Sequence, residues 1–115
     1  VNTVATKEDI MQAMRKMAAK TEDPKMIRHF KGYNKTLLMS FSDIGLDVTM
    51  VFQDGHASAT EGTPENPDMS VVTDSMTILG VLNGTVSGSI AAVEGRIKPK
   101  GPVRDLLKLQ RLLSA

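Results

Sequence analysis

Apolar residues recur at two spacings along the chain, and the switch between them separates helical from extended segments. Ile10, Met11, Met14, Met17 and Ala18 return at helical intervals against Arg15, Lys16 and Lys20, which predicts an amphipathic helix. Thr6 is placed to cap it, with Glu8 and Asp9 at its electropositive end. Thr21-Glu22-Asp23-Pro24 ends this helix, and Asp23 then caps a short second one that begins with Pro24. Met26, Ile27 and Phe30 form its apolar side, and Gly32 stops it. From Thr36 the period falls to two. Leu37, Met39 and Phe41 alternate with Thr36, Leu38, Ser40 and Ser42. After a turn at Asp43-Ile44-Gly45, Leu46, Val48, Met50 and Phe52 alternate with Asp47, Thr49 and Gln53. Asp54-Gly55 is a hairpin signal that leads into a weaker strand, His56–Glu61.

Gly62–Pro67 is a surface loop by composition. Asp68–Thr73 predicts a fourth strand with Met69 and Val71 on one side. Thr73 or Asp74 opens a short helix in which Met76, Leu79 and Leu82 are expected to face inward, and Gly84 ends it. Ser87–Val93 is ambiguous, with Ile90 and Ala91-Ala92-Val93 adding at most another helical turn or two. Ile97 and Pro99 then alternate with Arg96, Lys98 and Lys100, a short strand with one apolar and one basic face. Gly101 frees the backbone, and Pro102 suits the first turn of a closing helix. Val103, Leu106, Leu107, Leu109 and Leu113 share one side of that helix, and Arg104, Asp105, Lys108 and Arg111 share the other. Leu112 falls among the charged residues, and Gln110 falls within the apolar stripe. An amide on that face needs a partner, either a backbone group at a neighbouring helix end or a polar ligand head. This order of elements predicts an α+β fold over residues 1–115 as one domain: helices against one face of a mainly antiparallel, five-stranded sheet.

Eight methionines and almost no aromatic residues imply a soft, adaptable interior. That suits an irregular cavity, and it equally suits simple gap filling. With no cysteine, disulfides, thiolate metal sites and thiol chemistry are all excluded. No segment is long and apolar enough to span a bilayer, and Val1–Lys20 has no signal-peptide pattern. Lys and Arg are absent between Thr36 and Val93, so every cation lies in the two ends. If those ends are neighbours, they form a basic surface that would be drawn transiently to anionic membranes. Ordinary solvated helix faces account for the same residues. Nucleic acid is not expected, because the cations lack aromatic stacking partners and no nucleic-acid motif occurs. Catalytic constellations are missing too. His29 and His56 read as surface residues; there is no Gly-x-Ser-x-Gly elbow and no His pair at metal spacing. Asp43, Asp47 and Asp54 lack the Gly and terminal Glu of a calcium loop and read as turn and strand acids. Gly84-Thr85-Val86-Ser87-Gly88 lacks the Lys of a phosphate loop and reads as a helix break. Neither a cofactor nor a metal is expected, and the chain is expected not to be an enzyme.

Gly95-Arg-Ile-Lys-Pro-Lys-Gly101, followed by Lys108-Leu-Gln-Arg-Leu-Leu113, resembles the C-terminal signature of the sterol carrier protein 2 (SCP-2-like) family. The likeness runs back through Ser75–Gly84 and the preceding hairpin, over most of residues 30–115. Two departures stand out. Pro99 replaces an apolar strand residue, which removes a ladder donor and implies an edge or a strand end. Ala92 replaces a Phe common in the family and leaves more room beside the pocket. The resemblance implies a lipid or fatty-acyl ligand, held in an apolar cavity that the C-terminal helix closes. By pattern alone the apolar residues form a packed core. Read as a cavity, its lining is expected to be Met39, Phe41, Val48, Met50 and Phe52 from the sheet and Met76, Leu79 and Leu82 from the short helix. Ile90, Ile97, Leu106, Gln110 and Leu113 complete it from the C-terminal part. A carrier of fatty acid, acyl-CoA, sterol or phospholipid is the first expectation. The second is an interaction module: a homodimer, or an accessory that presents apolar substrates to an enzyme partner. The chain ends Leu-Ser-Ala where relatives often end in a peroxisomal tripeptide, which favours the cytoplasm.

Overall fold

The computed structural model describes residues 4–114; Val1–Thr3 and Ala115, the outer ends of the segments read above for targeting signals, lie outside the described residues. Helix α1 (Lys7–Ala19) runs through a short 3-10 turn (Lys20–Glu22) into α2 (Pro24–Phe30). Three strands follow, β1 (Lys35–Phe41), β2 (Leu46–Gln53) and β3 (His56–Glu61), then β4 (Met69–Thr73). Helices α3 (Ser75–Asn83) and α4 (Gly88–Val93), the short strand β5 (Lys98–Lys100) and α5 (Val103–Ser114) complete the fold.

The strands form one sheet in the order β3-β2-β1-β4-β5. Only the central β1–β4 pair is parallel, in register Met39 with Val71; the other pairs are antiparallel. The expected α+β architecture is therefore present. Local chemistry explains the boundaries. Thr6 Oγ1 accepts the Asp9 N–H at 3.1 Å, and Asp23 Oδ1 accepts the Lys25 N–H at 2.9 Å, so both N-terminal helices carry the caps their sequences promise. Asp54 (φ 51°) and Gly55 (φ 85°) make the left-handed pair that a two-residue hairpin needs. Ser87–Val93 resolves as a helix, with Ser87 Oγ accepting the Ile90 N–H at 3.2 Å.

One buried cluster joins α1, α2, the inward face of β1 and β2, and parts of the C-terminal elements. Leu37, Met39, Phe41, Val48 and Met50 are fully enclosed, and Phe52 stacks on Phe30 at 5.5 Å between ring centres. Pro99 in β5 pairs opposite Val71 at the sheet edge, where its missing N–H costs nothing. Gly101 (φ 148°) meets Met69 so closely that a methyl group there would lie 2.8 Å from the Met69 Cβ.

Two helices sit differently from expectation. In α3 the buried residues are Ser75, Thr77, Ile78, Gly80 and Val81, while Met76 is 49% exposed and Leu79 and Leu82 are half-buried. The helix is turned because its hydroxyls are satisfied. Ser75 Oγ donates to Asp43 Oδ2 at 2.6 Å, and Thr77 Oγ1 donates to Asp74 Oδ2 at 2.7 Å. In α5 the core side is Asp105, Leu109 and Leu112, and Leu112 is fully buried rather than a misfit on the polar side.

Candidate ligand-binding groove

An open groove of about 550 Å³ lies between the C-terminal half of the sheet and α5. Val71 of β4 and Ile97 and Pro99 at β5 form its floor. One wall is α5, through Val103, Leu106, Leu107, Leu109, Gln110 and Leu113. The other is Val81, Val86 and a run of small residues, Gly84, Ser87, Gly88, Ser89 and Ala92. The small residues leave the space: α4 is six residues long and largely Gly, Ser and Ala, and it touches α5 through Ser89 and Gln110 without filling the gap. Gly80 sets this wall, because a methyl group there would collide with the Val86 side chain. The volume is typical of small-molecule sites, which span roughly 300–1,000 Å³.

The groove's charge is as informative as its shape. No Asp, Glu, Lys, Arg or His lines it. Its polar side chains are Ser87, Ser89, Gln110 and Ser114. Gln110 is exposed at the mouth, where its Nε2 donates to Ser89 Oγ of α4 at 3.2 Å. Val103 and Leu107, though they line the groove, are 72% and 59% exposed. An apolar ligand would cover them.

The charged residues of α5 lie on its other side and fasten the helix. Asp105 is 4% exposed, accepts the Tyr33 hydroxyl at 2.6 Å and sits 4.0 Å from Lys35 Nζ. Burial raises the Tyr33 phenol well above its usual range, and the Asp105 contact raises it further, so Tyr33 remains a donor. Lys108 donates to the His29 carbonyl and lies over the Phe30 and Tyr33 rings, 5.5 and 5.1 Å from their centres. Lys20 Nζ donates to the Leu112 carbonyl at 3.3 Å, near the end of α5. His29 has a lowered pKa, first from loss of water contact and then from Arg111, Arg28 and Lys108. The two basic ends of the chain do meet, along the α2–α5 seam.

Of the residues expected to line a cavity, Ile97, Leu106, Gln110 and Leu113 are brought together here. Met39, Phe41, Val48, Met50 and Phe52 are instead sealed in the core, and Leu79 and Leu82 pack against that core without reaching the groove. Met76 and Ile90, 49% and 58% exposed, do not line it. The closed cavity expected under the last helix is thus an open groove beside it. The signals for the groove's lining were the small-residue run from Gly84 to Ala92, read as a helix break and an ambiguous turn, and the two departures Ala92 and Pro99. Among the described residues no cluster of acidic and histidine side chains could hold a metal, and Asp43 and Asp47 serve as hydrogen-bond acceptors in turns and strands. No helix among them is long and apolar enough to cross a membrane.

The sequence model of the SCP-2 sterol transfer family matches residues 9–114. No curated protein sequence matches the chain. Among solved structures, palmitated SCP2L2 from Aedes aegypti is similar at a TM-score of 0.68 and 14% identity, over 96% of each chain. UbiJ-SCP2, a ubiquinone synthesis protein, is similar at a TM-score of 0.66 and 10% identity, over 96% of this chain and 93% of that one. The inverting sec-alkylsulfatase Pisa1 from Pseudomonas sp. is similar at 0.65 and 20% identity, but the match covers 76% of this chain and only 14% of the sulfatase. These identities establish a shared fold.

Proposed function

The chain belongs to the SCP-2 sterol transfer family, and from that membership and the groove we propose that it binds and transfers apolar lipids without catalysing a reaction. The observation that carries this reading is the uncharged, half-open groove whose α5 wall leaves Val103 and Leu107 uncovered. A lipid chain laid there would gain about 0.8 kcal/mol for each methylene removed from water, enough for useful affinity without a specific contact. Cargo exchange would occur at a membrane, with the basic α2–α5 seam attracting anionic headgroups at no more than about 1 kcal/mol per cation. Native mass spectrometry of the purified chain, with and without added lipid, tests the proposal. A retained lipid, or stoichiometric uptake of a neutral fluorescent lipid, is expected. A chain that carries none and takes up none would overturn it. Vesicle transfer should be faster with anionic lipid at low salt, and equal rates would remove the membrane step alone.

A second reading is favoured by the match to a small part of the alkylsulfatase: an accessory that presents apolar substrates to an enzyme. The groove would serve the same chemistry, with the cargo handed to a catalytic partner. Sedimentation of the purified chain separates self-association from a strict monomer that needs another protein.

A further inference from the structure

The four most exposed large aliphatic side chains among the described residues lie together. Ile90 and Val93 belong to α4, Val103 and Leu107 belong to α5, and all four are between 58% and 89% exposed. The two helices touch where Gln110 Nε2 donates to Ser89 Oγ at 3.2 Å. Val93 follows Ser89 by four residues and Leu107 precedes Gln110 by three, so each stands one helical turn from that contact on the same face of its helix. Ile90 neighbours Val93, and Val103 neighbours Leu107, at the same spacings. Val103 and Leu107 also line the groove, whereas Ile90 and Val93 do not. An apolar rim thus carries the groove mouth outward onto both helices, open to solvent.

The surrounding charge favours one kind of cover. From Gly84 to Ser114 the cations are Arg96, Lys98, Lys100, Arg104, Lys108 and Arg111, and the acids are only Glu94 and Asp105. Both acids are occupied: Glu94 holds Arg96 at 2.7 Å, and Asp105 is buried against Tyr33. Arg104 and Arg111 are exposed, three residues before and four after Leu107, on its side of α5. A second copy docked rim to rim would bring these arginines against their own kind, and four aliphatic side chains fall short of the roughly 20–30 residues a side of a stable dimer. The methionine-rich α1 is no rival, because Ile10, Met14 and Met17 are sealed in the core and leave it no apolar face to insert. An anionic bilayer meets both features of the rim: aliphatic side chains enter its acyl region while arginines stay among the headgroups.

Resting on the lipid-transfer reading above, we propose that the protein docks on anionic membranes through Ile90, Val93, Val103 and Leu107, which insert and set the groove mouth against the acyl layer, with Arg104 and Arg111 at the headgroups.

The chain has no tryptophan, so one placed at the rim reports on its own surroundings. Val93→Trp and, on the exposed side of α2, Ile27→Trp are mixed with vesicles of phosphatidylcholine, with and without phosphatidylserine. In Val93→Trp the emission should move to shorter wavelength and be quenched by brominated acyl chains when phosphatidylserine is present, and Ile27→Trp should keep its emission in water. Val93→Asp should weaken co-sedimentation with the anionic vesicles at least about tenfold, while uptake of a neutral fluorescent lipid from solution is unchanged. Insertion of the indole in Ile27→Trp but not in Val93→Trp, or undiminished vesicle binding by Val93→Asp, would overturn the docking surface while lipid uptake stood. Equal insertion without phosphatidylserine would overturn the part given to the arginines. A parent that dimerises in sedimentation and becomes monomeric in Val93→Asp would give the rim to a second copy and overturn the proposal. Vesicle docking with no lipid uptake would overturn the lipid-transfer reading and leave the docking in place.

Discussion

Beneath β1 and β2, the inward side chains Leu37, Met39, Phe41, Val48, Met50 and Phe52 are at most 1% exposed. Beneath β4 and β5, the same face of the same sheet borders a groove of about 550 Å³. Composition separates the two halves less than the length and bulk of what covers them. Over the first lies α1, thirteen residues long, with Ile10, Met14 and Met17 filling the space, and Phe30 of α2 stacks on Phe52. Opposite the second stands α4, six residues long and made largely of Gly, Ser and Ala. Flexible methionines close a core where a long helix brings them together, and small residues leave a hole where the helix is short.

The largest expected effect comes from emptying the closed half. Phe52→Ala should cost about 3–5 kcal/mol of stability by chemical denaturation, because a packed core cannot collapse around the void. The matching cut in the open half, Leu107→Ala, should stay within about 0.5 kcal/mol and weaken lipid binding instead. Equal losses from the two would erase the distinction.

Next comes the seam that holds the groove wall. Tyr33→Phe leaves the buried Asp105 carboxylate with one fewer donor and should cost about 1–3 kcal/mol. The sign with pH also follows. The folded-state pKa of Tyr33 is raised above the usual 10.0, chiefly by burial, so its contribution is present below that value and is lost as pH rises toward the folded value. The stability loss on raising pH above about 10 should therefore be smaller in Tyr33→Phe than in the parent.

Filling the open half is the reverse experiment. Ala92→Phe places a ring in the groove from an exposed position, so the fold should survive and lipid uptake should fall by about tenfold or more. Unchanged uptake would place the ligand elsewhere.

Much of the fold was legible because periodicity reports burial. Alternation fixed the strands of the closed half, and Thr6, Asp23 and Asp54-Gly55 marked the boundaries with their own chemistry. The open half was harder to read. Wheel geometry put Met76, Leu79 and Leu82 inward, but Ser75 finds its acceptor in Asp43, 32 residues away, while Thr77 bonds the local N-cap Asp74, and the helix buries both hydroxyls. Asp105 and Leu112 seemed to belong to a polar side because Tyr33 is 72 residues away in sequence. The stripe on α5 was real, but it divides between core and groove. Leu109 is buried at the boundary and borders both, Val103, Leu107 and Gln110 take the open side, and Leu112, outside the stripe, is the residue sealed in the core.

The smallest expected effect is at the surface of the closed half, where His56 Nδ1 lies 2.6 Å from Glu22 Oε2. The His56 pKa is raised, first by that hydrogen bond and then by the Glu22 charge. Its stabilisation is fully present below the usual 6.5 and fades as pH rises through the folded value, provided Glu22 is ionised. Thermal melts of Glu22→Gln and the parent should differ slightly near pH 6 and converge in mild alkali.

Methyl-resolved NMR of the chain titrated with hexadecanol tests the central claim most directly. Saturable shifts should appear at Val103, Leu106, Leu107 and Leu113, while Leu37, Met39 and Met50 stay in place. Shifts centred on the methyls beneath β1 and β2, with the α5 wall unmoved, would contradict the assignment of the ligand site to the groove.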